Sequence, residues 1–206
     1  MTTYAPVNTV EELEALYGVP GEASLLKVAD RITPQYRRFL EASPFFTLAT
    51  AGPEGLDCSP RGELGGLFRI LDEKTLAIPD RRGNNRIDSL RNIVRDPRVG
   101  LLFMIPGSVT TIRLNGTAII TADPDLLASF EKDGKVPRSA VVVTVDEIYT
   151  QCGRAVLRAK LWDPAHHVDP ASVPTAGDIL KEQSSGTFDS RTYDEEWAGR
   201  AAKTMW

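Results

Sequence analysis

Only two cysteines and two histidines occur in 206 residues. Cys58 and Cys152 stand far apart with no C-x-x-C spacing, which excludes a zinc ribbon and a disulfide framework. Two reduced, partly buried thiols are expected instead. His166 and His167 are adjacent, so they face opposite ways on a strand and diverge on a helix. No Ser-His-Asp order is legible, no carboxylate pair marks glycoside chemistry, and no metal site is expected, although Asp163 and Asp169 flank the histidines. Apolar runs long enough to span a bilayer, ~20 residues, are absent. The first residues lack the basic start and apolar middle of a secretory signal. A cytoplasmic protein with no membrane partner is expected. A basic excess is missing too: 24 Lys+Arg against 28 Asp+Glu give a net charge of −4. A nucleic-acid binder carries the opposite balance, so no nucleic-acid partner is expected. There is no Walker loop, no G-x-G-x-x-G element and no internal repeat.

What the chain does have is a local cluster of arginines between residues 75 and 103, TLAIPDRRGNNRIDSLRNIVRDPRVGLLF. It reads as a strand, a polar loop, a helix over 85–94 and a second strand. Such a loop entering a helix N-terminus is suited to an anion. Arg81, Arg82 and Arg86 offer forked donors for phosphate. Asn84 and Asn85 can donate amide hydrogens or cap the helix, and Gly83 admits a close backbone approach. Asp80 and Asp88 can pair the arginines. A solvated turn is the alternative reading. On an acidic protein, the cluster favours a small anionic ligand.

The rest of the chain is mostly strand. Short helices are predicted at 9–16, capped by Thr9 with Glu12 as box partner, at 22–28, and at 34–41 behind Thr33-Pro34. Strands follow at 45–50, 57–61, 68–71, 75–78, 98–105, 110–121 and 139–148. The run RVGLLFMI is expected to be covered on both faces. Asn115-Gly116 makes either a two-residue hairpin or a bend in one long strand. Helices are predicted at 123–132, at 152–161 with Cys152, Ala155, Val156 and Ala159 on one face, and near 193–203. Within 85–94, Ile87, Leu90 and Val94 share a face. Regular βαβ alternation is absent, which excludes a doubly wound sheet. A mostly β, antiparallel barrel of about six strands with short helices fits.

Two further groups stand out. In Ser59-Pro60-Arg61, a proline inside a strand requires an edge or a bulge, and Arg61 either projects from that strand end or pairs with Glu63. Trp162, flanked by Arg158 and Lys160, is either a core anchor at a helix end or a lid over a flat ring.

The stretches FFTLATAGPEG, DCSPRGE, TLAIPDRRGNNRIDSLRNIVRDPRVGLLF and TTIRLNGTA together resemble the pyridoxamine-5′-phosphate-oxidase-like, FMN-binding split β-barrel family. The nearest resemblance is to a bacterial subgroup with IPDRxGNNRxDSLxNI and LLFxIPG stretches. CGRAVLRAKLWDP is similar to that subgroup's C-terminal motif. The resemblance implies an N-terminal helical segment at 1–44, a six-stranded antiparallel split barrel at 45–162, and a C-terminal extension at 163–206 that packs on the barrel or a partner subunit. It implies an obligate homodimer with FMN in grooves at the subunit interface. By position, Asp80, Arg81, Asn84, Asn85 and Arg86 fall in the segment that holds the FMN phosphate. Ser59, Pro60 and Arg61 fall beside the flavin ring or ribityl chain, and Thr111 falls where a related oxidase turns a polar side chain to the ring. Arg158 and Trp162 belong to the C-terminal motif. The implied activity is FMN-dependent oxidoreduction of an unidentified small molecule, with no catalytic residue identified because the chemistry is the cofactor's. The chain lacks the C-terminal Arg-x-His stretch with which the namesake grips pyridoxal phosphate, so the resemblance carries FMN but not a B6 substrate. The alternatives are a non-catalytic flavin- or haem-binding barrel, with His166 or His167 as axial ligand, and a deazaflavin in place of FMN.

Overall fold

β-Branched and aromatic residues dominate the middle of the chain and take extended conformations. In the computed structural model, which describes residues 4–206, they build one antiparallel sheet. Its strands are β1 (Phe45–Gly52), β2 (Gly55–Gly62), β3 (Arg69–Ile70), β4 (Thr75–Pro79), β5 (Arg98–Met104), β6 (Thr111–Thr121) and β7 (Ala140–Gln151). They lie in the order β2-β1-β5-β6-β7-β4-β3. The sheet has seven strands, one at each predicted range, rather than the six of the implied split barrel. It is open, because β2 and the two-residue β3 have no ladder between them. Pro60 sits on β2, the edge strand its missing N–H requires.

Strand alternation fills the inside. Phe46 and Leu48 of β1, Leu101 and Phe103 of β5, Ile112 and Leu114 of β6, and Val143 and Val145 of β7 are fully buried. Phe46 and Phe103 lie 4.9 Å apart between ring centroids, and Phe68 meets Phe103 edge-on at 5.5 Å. β5 does not bury both faces: Val99, Leu101 and Phe103 are inside, and Gly100, Leu102 and Met104 are half-buried.

β6 is one strand, not a hairpin. A bulge between Asn115 and Gly116 leaves Asp146 of β7 without an opposite residue. The backbones approach so closely there that a Cβ on Gly116 would lie 2.0 Å from the Thr144 carbonyl oxygen. Gly116→Ala is therefore expected to cost about 2–3 kcal/mol, because the clash is with backbone that cannot rotate away. A thermal melt against wild type checks this.

Short helices precede, interrupt and follow the strands. α1 (Val10–Tyr17), α2 (Glu22–Leu26) and α3 (Pro34–Ala42) precede it. Thr9 caps α1, but Glu12 accepts from the Asn8 N–H at 2.9 Å, one residue earlier than a capping box. Residues 1–3 of the expected N-terminal segment lie outside the described residues. α4 starts at Asp88 and ends at Arg95. The predicted start at 85 fails because Asn85 and Ile87 have φ of 60° and 54°. The later start moves the buried face to Ser89, Asn92 and Ile93, leaving Ile87 and Val94 exposed. α5 (Pro124–Ala128) and α6 (Arg154–Arg158) are shorter than predicted, and Cys152 and Cys58 are free and exposed rather than partly buried. In the tail, α7 (Ala176–Gln183) and α8 (Ser190–Thr204) form a hairpin tied by Asp194, which accepts from Thr175 Oγ1 and the Gly177 N–H. Prediction missed α7, although Thr175 and Asp178 form its capping box. Among the described residues, no helix is long and apolar enough to cross a membrane.

Candidate functional site

On β2, Asp57, Ser59 and Arg61 turn to one face and are half-buried, while Cys58, Pro60 and Gly62 are exposed on the other. This is the two-residue period of a strand. The half-buried face meets loop 80–87 and the first turn of α4. A cleft of about 320 Å³ opens between them.

Charged pairs hold its walls. Arg61 Nη1 lies 3.3 Å from Asp80 Oδ1, and Arg81 Nε lies 3.1 Å from Glu63 Oε2. Both pairs run from the end of β2 to the loop after β4, so they span the two margins of the open sheet. Lys132 also pairs with Glu63, and Arg81 Nη1 donates to the Phe130 carbonyl at 2.8 Å. Arg86 pairs with Asp88 at 2.8 Å, and its backbone N–H donates to Asn84 Oδ1 at 3.1 Å. Ser89, 4 % exposed, donates to the Asp57 carboxylate and lies 2.8 Å from Ser59 Oγ. Among the described residues, the one buried side-chain polar atom lacking a hydrogen-bond partner is Arg61 Nε.

Burial pushes the Asp80 carboxyl above the ordinary carboxylate range, and the Arg61 charge and hydrogen bond offset this only in part. The folded state therefore binds this proton more tightly than the unfolded chain. Stability is favoured by low pH and declines as pH rises from the ordinary Asp range through the raised value. Asp80→Asn is expected to flatten that slope. Urea melts at several pH values between 3.5 and 7 check it; an unchanged slope would mean Asp80 titrates normally.

The hydrogen bond to Asp88, with its charge, raises the Arg86 pKa further, so this side chain stays cationic at every accessible pH.

Seven sequence-predicted residues line the cleft together: Ser59, Arg61, Asp80, Arg81, Asn84, Asn85 and Arg86. Four do not. Pro60 is turned away by strand alternation. Thr111 is buried at the start of β6, opposite Met104 and Gln151. Arg158 is exposed at the end of α6. Trp162 borders a separate, mainly apolar hollow of about 310 Å³ with Val109, Val156 and Leu157, and its indole N–H donates to the Ser108 carbonyl at 2.8 Å. His166 is engaged at both ring nitrogens, by Asp163 at 3.0 Å and Lys160 at 2.8 Å, and neither His166 nor His167 lines the cleft. Among the described residues, no three His, Cys, Asp or Glu side chains gather where a metal could bind.

Sequence reasoning missed Asp57 and Ser89. The alternation of DCSPR carried the signal for Asp57, two residues before Ser59. Nothing local marked Ser89, because it depends on where α4 begins.

Residues 32–152, more than half of the chain, match the family described as pyridoxamine 5′-phosphate oxidase. No curated protein matches the chain. Among solved structures, HupZ from Group A Streptococcus is similar at 21% identity and a TM-score of 0.47, covering 58% of this chain and 93% of that one. General Stress Protein 26 from Bacillus anthracis is similar at 17% identity and a TM-score of 0.42, covering 55% and 88%. A protein from Clostridium acetobutylicum related to general stress protein 26 is similar at 14% identity and a TM-score of 0.43, covering 57% and 85%.

Proposed function

Since the chain belongs to the pyridoxamine 5′-phosphate oxidase family, we propose that it binds FMN through the cleft between β2 and α4 and serves as an FMN-dependent oxidoreductase for a small molecule. The observation that carries this reading is the Arg61 side chain, which lines the cleft with a buried Nε that has no partner. Buried donors are almost always satisfied, and a phosphate oxygen is the partner that a guanidinium accepts best.

The donor set fits the group. Arg61 and Arg86 supply charge, and Asn84 and Asn85 supply amide hydrogens from an exposed loop. Arg81 is already held by Glu63 and Phe130, which leaves it to position the loop as well as to add charge. The cleft suits the polar end of the cofactor. Only Ile87 and Leu90 offer apolar side chains there, too little to cover a flavin ring. The ring would need a second apolar wall, and a homodimer that sets another copy against this edge would provide one. When bound, the flavin supplies hydride transfer. The chain's own residues fix the phosphate, orient the tail and keep the loop in place.

Titrating the purified protein with FMN, followed by flavin fluorescence and by the shift in melting temperature, tests the proposal. Saturable quenching with a raised melting temperature is expected. A protein that is colourless as purified and unaffected by FMN would end it. Light scattering with and without FMN tests the dimer.

A further inference from the structure

A hydroxyl carries one proton and two lone pairs. A carboxylate only accepts, and the Asp57 carboxylate lies within hydrogen-bonding reach of the Ser89 hydroxyl. The Ser89 hydroxyl therefore directs its proton to Asp57. At its other contact Ser89 Oγ can only accept, so Ser59 Oγ, 2.8 Å away, is the donor. Ser89 is buried in the first turn of α4 and keeps this direction fixed. Ser59 is left facing the cleft with lone pairs and no proton. A phosphate dianion, which offers lone pairs alone, finds no partner there. An O–H or N–H does.

From this we infer that the chain Asp57–Ser89–Ser59 makes Ser59 an obligate hydrogen-bond acceptor, which takes a donor group of the ligand and leaves the phosphate to Arg61 and Arg86. In a flavin the donor is either a ribityl hydroxyl or the ring imide N–H. Asp57 and Ser89 act through Ser59 and are positioning residues; Ser59 makes the contact. The inference rests on the FMN reading and adds the orientation of the ligand within the cleft.

The test uses fluorescence titrations at pH 8 with FMN, riboflavin and lumiflavin, and inorganic phosphate as a competitor of FMN. The proteins are wild type, Ser59→Ala, Ser59→Thr and Ser89→Ala. Ser59→Ala is expected to weaken FMN and riboflavin alike, by roughly 3- to 10-fold, without weakening competition by phosphate. Ser59→Thr, which keeps the hydroxyl, restores binding. Lumiflavin loses affinity in Ser59→Ala if the imide is the donor and is unaffected if the polyol is. Ser89→Ala releases the Ser59 proton without changing charge, so phosphate becomes a better competitor and riboflavin binds less well, a change of preference that simple loosening of the fold would not produce. Loss of FMN but not riboflavin affinity in Ser59→Ala would place Ser59 on the phosphate and overturn the inference, as would an unchanged phosphate-to-riboflavin preference in Ser89→Ala. Wild-type protein that binds no FMN removes both this inference and the reading beneath it, whereas normal wild-type binding with either overturning result removes this inference alone.

Discussion

The double variant Arg61→Ala/Arg86→Ala is expected to weaken FMN binding by roughly a hundredfold or more, since each lost charge-assisted bond contributes about 1.5–3 kcal/mol. The two side chains reach the cleft from different elements, Arg61 from β2 and Arg86 from the loop before α4. Their carboxylate partners differ too, Asp80 and Asp88. The single effects should therefore come close to adding. Removing Arg61 also strips Asp80 of its partner and leaves a half-buried carboxylate facing the phosphate, so Arg61→Ala should be the worse of the two single variants. Replacing Asp80 by Asn in the Arg61→Ala background should recover part of the loss. Isothermal titration with FMN separates these contributions. Affinity within threefold of wild type in the double variant would move the phosphate site elsewhere.

The second large effect is on folding. Phe103→Ala is expected to cost about 3–5 kcal/mol, the usual range for deleting a buried ring. Phe103 is completely buried on β5, an interior strand between β1 and β6, and touches the rings of both Phe46 and Phe68. Phe46 lies on the neighbouring strand, and Phe68 on the segment leading into β3. The resulting void would thus sit where the middle of the sheet meets the stretch that closes over it. A chain of this size loses roughly 2–4 °C per kcal/mol, so the melting temperature should fall on the order of 10 °C. Phe103→Leu, which keeps most of the volume, should lose far less. Equal stability of the alanine variant and wild type would mean that the three rings do not form one packed cluster.

Much of this architecture could be read from local patterns. Period-2 alternation marked the long strands, and Pro60 marked an edge or a bulge, of which the structure has the edge. The arginine-rich loop stands out in the sequence as a candidate anion site, and five of its candidate residues line one cleft with Ser59 and Arg61 of β2. The start of α4 was not legible, because Ile87 has a left-handed backbone that a β-branched residue seldom adopts. Only the tertiary wrapping of loop 80–87 holds it there. Nothing local marked Ser89 and Asn92 as buried either: their partners, Asp57 and Thr50, come from strands more than thirty residues away. Nor could strand order be read. The path from β4 at one margin back to β5 in the middle is set by how α4 packs over β1 and β2, a contact with no signature in either segment alone.

That path leaves the barrel with a clasp rather than a weld. The two margins meet through Arg61–Asp80 and Glu63–Arg81 instead of a ladder of backbone amides. Such a clasp can give by a fraction of an ångström without unravelling a strand, and its grip depends on ionic strength in a way that a ladder does not. A ligand such as the proposed FMN, bridging both sides, would act as the pin. The stiffness of this hoop would then belong partly to its cargo, and protein without FMN is expected to be looser in strands well away from the cleft.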